Sequence, residues 1–74
     1  MKVTLKLFAT LRDYGAKYEE LELREGTTLE ELVEMKKIPK DMPMIRLVNG
    51  EFAEFNQRLK DGDIVALFPP IAGG

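Results

Sequence analysis

The 74-residue chain contains no cysteine, no histidine, no serine and no tryptophan. Each absence removes a class of function. Without cysteine there is no disulfide to staple a small core and no thiolate nucleophile. Without cysteine and histidine no zinc-finger spacing can be written. No side chain has an ordinary pKa near neutrality. With no serine, hydroxyl nucleophiles are limited to threonines, which read as strand, loop and cap positions. A self-contained enzyme is therefore not expected, and no metal site is. Charge of one sign is also missing. Eleven Lys and Arg against thirteen Asp and Glu give a net charge of −2, so there is no basic footprint for nucleic acid. Long apolar runs are absent too. The opening Met1-Lys2-Val3-Thr4-Leu5-Lys6 breaks its apolar residues with charge. It reads as neither a signal peptide nor a membrane span, and a cytoplasmic location is expected.

What remains suits one small folded domain: 45% hydrophobic and 32% charged residues. From Lys2 to Phe8 the pattern has period two. Val3, Leu5 and Leu7 share one face, and Lys2, Thr4, Lys6 and Phe8 the other, as in a half-buried strand. Ala9 to Gly15 reads as a turn or single helical turn. Tyr18 to Leu23 alternates again, with Leu21 and Leu23 inward, so the first two strands can pair as a long-looped hairpin.

Arg24-Glu25-Gly26 reads as a turn. Thr28 followed three residues later by Glu31 fits a capping box. Leu29, Leu32 and Val33 follow helical spacing, Lys36 and Lys37 suit the negative end, and Pro39 stops the run. A helix of about ten residues is expected. Met44 to Val48 is a third strand, Asn49-Gly50 a hairpin turn, and Glu51 to Phe55 a short fourth strand. Ile64 to Phe68 is a fifth strand, ended by Pro69. The fold class is α+β: one helix on one face of a mixed sheet, in the order ββαβββ. Residues 1–68 make the domain and residues 69–74 a flexible tail.

Other features have bland and sharp readings. Asp61-Gly62-Asp63 reads as a tight turn, and two carboxylates supply too few oxygens for a calcium loop. The seven Glu between Glu19 and Glu34 read as solvated surface, with repulsion of wrong partners as a second use. Met35, Met42 and Met44 are expected to fill core gaps. Parity sends Phe8 and Phe68 to the open face of the sheet, with Phe52 near them. Three exposed aromatics would form a docking patch; the competing reading folds some of them into a satellite core.

The last residues carry the sharpest signal. Phe68-Pro69-Pro70-Ile71-Ala72-Gly73-Gly74 is too apolar for a linker. Two terminal glycines make a thin peptide that can enter a channel closed to any Cβ. A frayed end is the alternative. With so little side-chain chemistry available, the carboxylate of Gly74 is the expected reacting group.

The stretch from Val48-Asn49 through Leu59-Lys60-Asp61-Gly62-Asp63 to Phe68-Pro69-Pro70 and Gly73-Gly74 closely resembles the small, sulfur-carrying subunit of molybdopterin synthase. Leu7-Phe8-Ala9-Thr10-Leu11-Arg12-Asp13 resembles the same family's first strand end and following turn. Between Glu25 and Met44 the chain is shorter than that pattern. There it is similar to thiamine-pathway sulfur carriers and archaeal ubiquitin-like modifiers.

The resemblance implies a β-grasp, ubiquitin-like fold. It implies an E1-like adenylating enzyme that uses ATP and Mg on Gly74, and a persulfide sulfur donor that yields a thiocarboxylate. It further implies a large synthase subunit that receives the tail, with no cofactor bound by the chain itself. Phe8, Phe52 and Phe68 fall on the family's docking patch and Arg12 on a polar contact beside it. Pro69, Pro70 and Ile71 form the root of the tail, and Gly73 permits close approach. Protein modification through Gly74 and a plain interaction domain are the alternatives.

Overall fold

A computed structural model of the chain describes residues 1–70. Strand β1 spans Lys2–Leu7, β2 Tyr18–Glu22, β3 Ile45–Val48, β4 Glu51–Phe52 and β5 Ile64–Phe68. A 3₁₀ segment at Ala9–Tyr14 joins β1 to β2, and helix α1 spans Leu29–Met35. The five strands form one sheet in the order β2-β1-β5-β3-β4. β1 pairs antiparallel with β2 and parallel with β5, and β3 runs antiparallel to both β4 and β5. The parallel centre follows from the helical crossover after β2, which returns the chain to the same end of the sheet. This is the β-grasp order ββαβββ.

The period-two strands put their core where alternation requires it. Val3, Leu5 and Leu7 of β1 and Val65 and Leu67 of β5 are sealed beneath α1, whose Leu29, Leu32 and Val33 cover them. Leu23 is buried and Leu21 half-buried, so the second strand faces inward as its pattern predicts.

Helix α1 begins at the capping box. Glu31 N–H donates to Thr28 Oγ1 at 3.2 Å, and Thr28 N–H donates to Glu31 Oε1 at 2.9 Å. The helix runs seven residues, not about ten, and Pro39 does not end it. Lys37 takes a left-handed backbone, φ 62°, that turns the chain two residues earlier. Lys37 N–H then donates to Glu34 C=O at 2.9 Å and Ile38 N–H to Val33 C=O at 3.1 Å. This closing pair of bonds satisfies the last carbonyls and drives Ile38 onto the core, 3% exposed. Met35 is consequently left outside the apolar contact and is 50% exposed, which corrects its assignment to the core; Met42 and Met44 do pack against the core.

The fourth strand is two residues, not five. Asn49 and Gly50, φ 53° and 84°, make the expected tight hairpin. Beyond Phe52 the chain curls under β3. Ala53 N–H donates to Arg46 C=O at 3.1 Å, and the Arg46 guanidinium lies 4.0 Å over the Phe55 ring.

The Asp61-Gly62-Asp63 segment is a turn. Gly62 has φ 88°, and Asp63 N–H donates to Lys60 C=O at 3.0 Å. The carboxylates serve the backbone. Asp61 Oδ1 accepts from Lys2 N–H at 2.7 Å, and the buried Asp63 accepts from Lys60 N–H at 2.8 Å and Asn49 Nδ2 at 2.9 Å. Asn49 Oδ1 in turn accepts from Ile64 N–H at 2.9 Å. This network ties the β3–β4 turn to the start of β5 and so fixes the register of the strand that leads to the tail.

Candidate partner-docking face

With α1 on one side, the other side of the sheet is open. Cross-strand register places its residues in rows. Tyr18, Lys6, Ala66, Leu47 and Phe52 lie opposite one another across all five strands. Toward the end of β5, Phe68 lies opposite Ile45. Toward its start, Ile64 lies opposite Thr4, which in turn lies opposite Glu20. Because side chains alternate along each strand, Ile64, Ala66 and Phe68 share this face with Ile45 and Leu47. The result is an apolar strip on β5, β3 and β4, flanked by charge and hydroxyl groups on β1 and β2.

Phe8 and Phe68 are placed as parity predicts, and Phe52 joins them on the same side. Phe8 is 40% exposed and Phe52 83% exposed, and Phe68 is half-buried. Phe8 and Phe68 meet edge to face, ring centroids 5.8 Å apart at 85°. Phe52 stands two strands away, joined to them through Leu47 and Ile45. Its side of the sheet is fixed by its pairing with Leu47. None of the three enters the buried core.

The other named residues divide between the strip and its rim. Arg12 lies exposed on the 3₁₀ segment, near the Phe8 end of the strip. Its side chain makes no hydrogen bond or ion pair among the described residues. Pro69 and Pro70 follow β5 outside any regular element. Pro69 has no N–H to offer either neighbouring strand, so the ladder stops at Phe68. Ile71, Gly73 and Gly74 lie outside the described residues.

Sequence reasoning named the aromatics but missed their aliphatic neighbours Ile45, Leu47, Ile64 and Ala66. The signal was available. Once Val48, Val65 and Leu67 are inward, parity sends each of these outward.

Three ion pairs gather around α1. Lys40 donates to Glu34 at 2.7 Å and Glu30 at 3.0 Å, and these bonds, Glu34 first, hold its ammonium above the ordinary lysine pKa. Lys36 donates to Glu19 at 2.7 Å across the helix–sheet seam. No group of three or more acidic, histidine or cysteine residues that could hold a metal occurs among the described residues. Nor do they contain a helix long and apolar enough to cross a membrane.

A five-stranded β-grasp body with one helix on one face defines a ubiquitin-like domain. The chain belongs to the ThiS family, whose model matches residues 5–74. This is a family of ubiquitin-like sulfur carriers.

Three solved structures illustrate the likeness. A Pyrococcus furiosus protein bearing the name molybdopterin converting factor, subunit 1, is 34% identical, with 96% of this chain and 99% of that one covered and a TM-score of 0.81. Small archaeal modifier protein 1 of Haloferax volcanii is 26% identical, with coverages of 95% and 98% and a TM-score of 0.77. A complex of subunits 1 and 2 of the molybdopterin-converting factor from Helicobacter pylori contains a chain 22% identical, with both chains fully covered and a TM-score of 0.69; it shares the fold. No curated protein sequence matches significantly.

Proposed function

We propose that this chain carries sulfur as a thiocarboxylate on Gly74 and serves as the small subunit of a molybdopterin synthase. Residues 1–68 act as the recognition body and residues 69–74 as the reacting tail. The observation that carries the reading is the continuity of the apolar face with the tail's root. Phe68 is at once the last residue of β5, the ring partner of Phe8 and the residue before Pro69-Pro70.

The chemistry follows from what a carboxylate lacks. A carboxylate is a poor electrophile. An E1-like adenylating enzyme, using ATP and Mg, joins Gly74 to AMP and releases pyrophosphate. The terminal sulfur of a persulfide donor attacks the acyl carbon and displaces AMP. A second thiol on the activating or donor protein then attacks the donor-side sulfur of the acyl disulfide, forming a protein disulfide and releasing the thiocarboxylate. That sulfur is nucleophilic at neutral pH without a neighbouring base, which suits a chain with no histidine or cysteine. The large synthase subunit then receives the tail and passes sulfur to a pterin precursor.

The chain's own residues bind and aim. Phe8, Phe52, Phe68 and Ile71 bury apolar area on the partner, Arg12 supplies a polar contact at the rim, and Pro69 and Pro70 stiffen the root, so less freedom is lost on insertion. Gly73 and Gly74 pass where a Cβ would block. The 34% identity to the Pyrococcus protein supports the molybdopterin assignment.

A second reading, protein modification through Gly74, draws on the likeness to the Haloferax modifier. It uses the same activation and differs only in the acceptor, a lysine amine. The intact mass of the protein from its native cell tests both readings. Exchange of one oxygen for one sulfur at the C-terminus supports the carrier. Isopeptide conjugates as the only modified form would replace it with the modifier.

A further inference from the structure

We infer that the corner at Phe8-Ala9 is a positioning element, fixing the direction in which the chain leaves β5 so that the tail meets a partner already aimed. This rests on the carrier reading above and adds a role for residues that touch no reacting atom.

The geometry is specific to that corner. The parallel ladder between β1 and β5 runs from Thr4 opposite Ile64 to Leu7 opposite Leu67. One bond extends it: Phe8 N–H donates to Leu67 C=O at 3.1 Å. Phe8 itself is extended, φ −121° and ψ 148°. The residue after it breaks the line. Ala9 has φ 54°, a left-handed backbone uncommon for a residue with a Cβ. The turn is held on its far side, where Leu11 N–H donates to Phe8 C=O at 3.1 Å and the Leu11 side chain is fully buried.

Three consequences follow. First, β1 cannot continue beside the tail, because the chain turns away at Ala9. Second, the Phe8 ring sits at the end of the central strands, where its edge-to-face contact with Phe68 holds that side chain from one side. Pairing with Ile45 holds the Phe68 backbone from the other. Third, the next two residues are prolines, which restrict φ and can extend neither ladder. Among the described residues Phe68 is thus the last point at which the sheet grips the chain, and the Phe8-Ala9 corner is half of the grip. Strained backbone next to a functional segment is where such a constraint is found in other folds.

The test separates aiming from docking. Phe8→Leu keeps an apolar side chain and the corner's backbone but removes the ring edge. Ala9→Val keeps the sequence around it but disfavours the positive φ, and Ala9→Gly accepts that φ without strain. Two readouts are taken. One is adenylation at saturating and subsaturating carrier, using an E1-like enzyme that activates the wild-type chain. The other is backbone orientation of Phe68 relative to β3, from NMR residual dipolar couplings, which needs no partner.

Phe8→Leu is expected to lower kcat about tenfold while KM changes less than about threefold. It should also shift the Phe68 couplings while leaving those of α1 unchanged. Ala9→Gly should match wild type within about twofold. Ala9→Val should behave like Phe8→Leu if it folds, and its failure to fold leaves the Phe8→Leu result to decide.

A rise in KM at constant kcat, with Phe68 couplings unchanged, would overturn the proposal and leave Phe8 as a docking contact alone. If no enzyme activates the wild-type chain, the carrier reading falls, and unchanged Phe68 couplings in Phe8→Leu still overturn the positioning claim on their own.

Discussion

Replacing Phe52 by alanine should separate recognition from folding. Its ring is 83% exposed, β4 is two residues long, and the ring takes part in no aromatic pair among the described residues. The isolated domain has almost nothing to lose, so its unfolding free energy should change by less than about 0.5 kcal/mol. In a complex the same ring would be buried. Full burial of a phenylalanine side chain is worth about 1.5–3 kcal/mol, so the partner's Kd should rise roughly ten- to a hundredfold. Leu67, fully buried on the helix side of β5, supplies the opposite control. Leu67→Ala should cost about 2–5 kcal/mol of stability, with no loss of affinity in the folded fraction beyond that. Urea unfolding measures the first quantity. Calorimetric titration with the E1-like enzyme or the large synthase subunit measures the second. If Phe52→Ala destabilises the fold while leaving both affinities unchanged, the open face is not the docking surface.

Two further predictions concern the body that presents the tail. Asp63→Ala removes the acceptor for Lys60 N–H and Asn49 Nδ2, leaving two donors unpaired at a site only 8% exposed. It should cost about 2–3 kcal/mol, seen as a lower urea midpoint at constant slope, and a cost under about 0.5 kcal/mol would remove the network from the account of β5's register. Lys37→Gly puts the residue suited to a positive φ at the helix's end. It should raise stability by about 0.5–1 kcal/mol, and a lower thermal midpoint would show that the lysine side chain contributes more there than the strain costs.

Much of this architecture was legible because local rules and tertiary packing agree. Alternation in Val3, Leu5 and Leu7 fixed both the first strand and its inward face, and the same parity sent Phe8 out. The Thr28–Glu31 box marked the helix start to the residue. Asn49-Gly50 and Asp61-Gly62-Asp63 marked turns because each requires a left-handed backbone that its glycine supplies.

The misses have equally local causes. Lys37 adopts a conformation its side chain disfavours, so no local signal marks the end of the helix ahead of Pro39. Met35, the last residue of α1, stays half exposed, because a methionine's polarity alone does not say which side of the helix it takes. Glu51 to Phe55 was read as one strand because β propensity does not register that Phe55 turns under the Arg46 guanidinium. Parity placed Phe8 and Phe68 side by side on the open face, and the parallel register of β1 and β5 brings their rings into contact.

The central claim is that Gly74 is a chemical terminus borne by a body that only recognises and aims. The most direct measurement is ATP-dependent thiocarboxylate formation, followed by intact-protein mass spectrometry, on the wild-type chain and a variant lacking Gly74. The account predicts that both proteins have the same urea midpoint and that only the wild type gains sulfur, because the deletion withdraws the carboxylate by one residue, about 3.5 Å. Equal sulfur incorporation into both would contradict it.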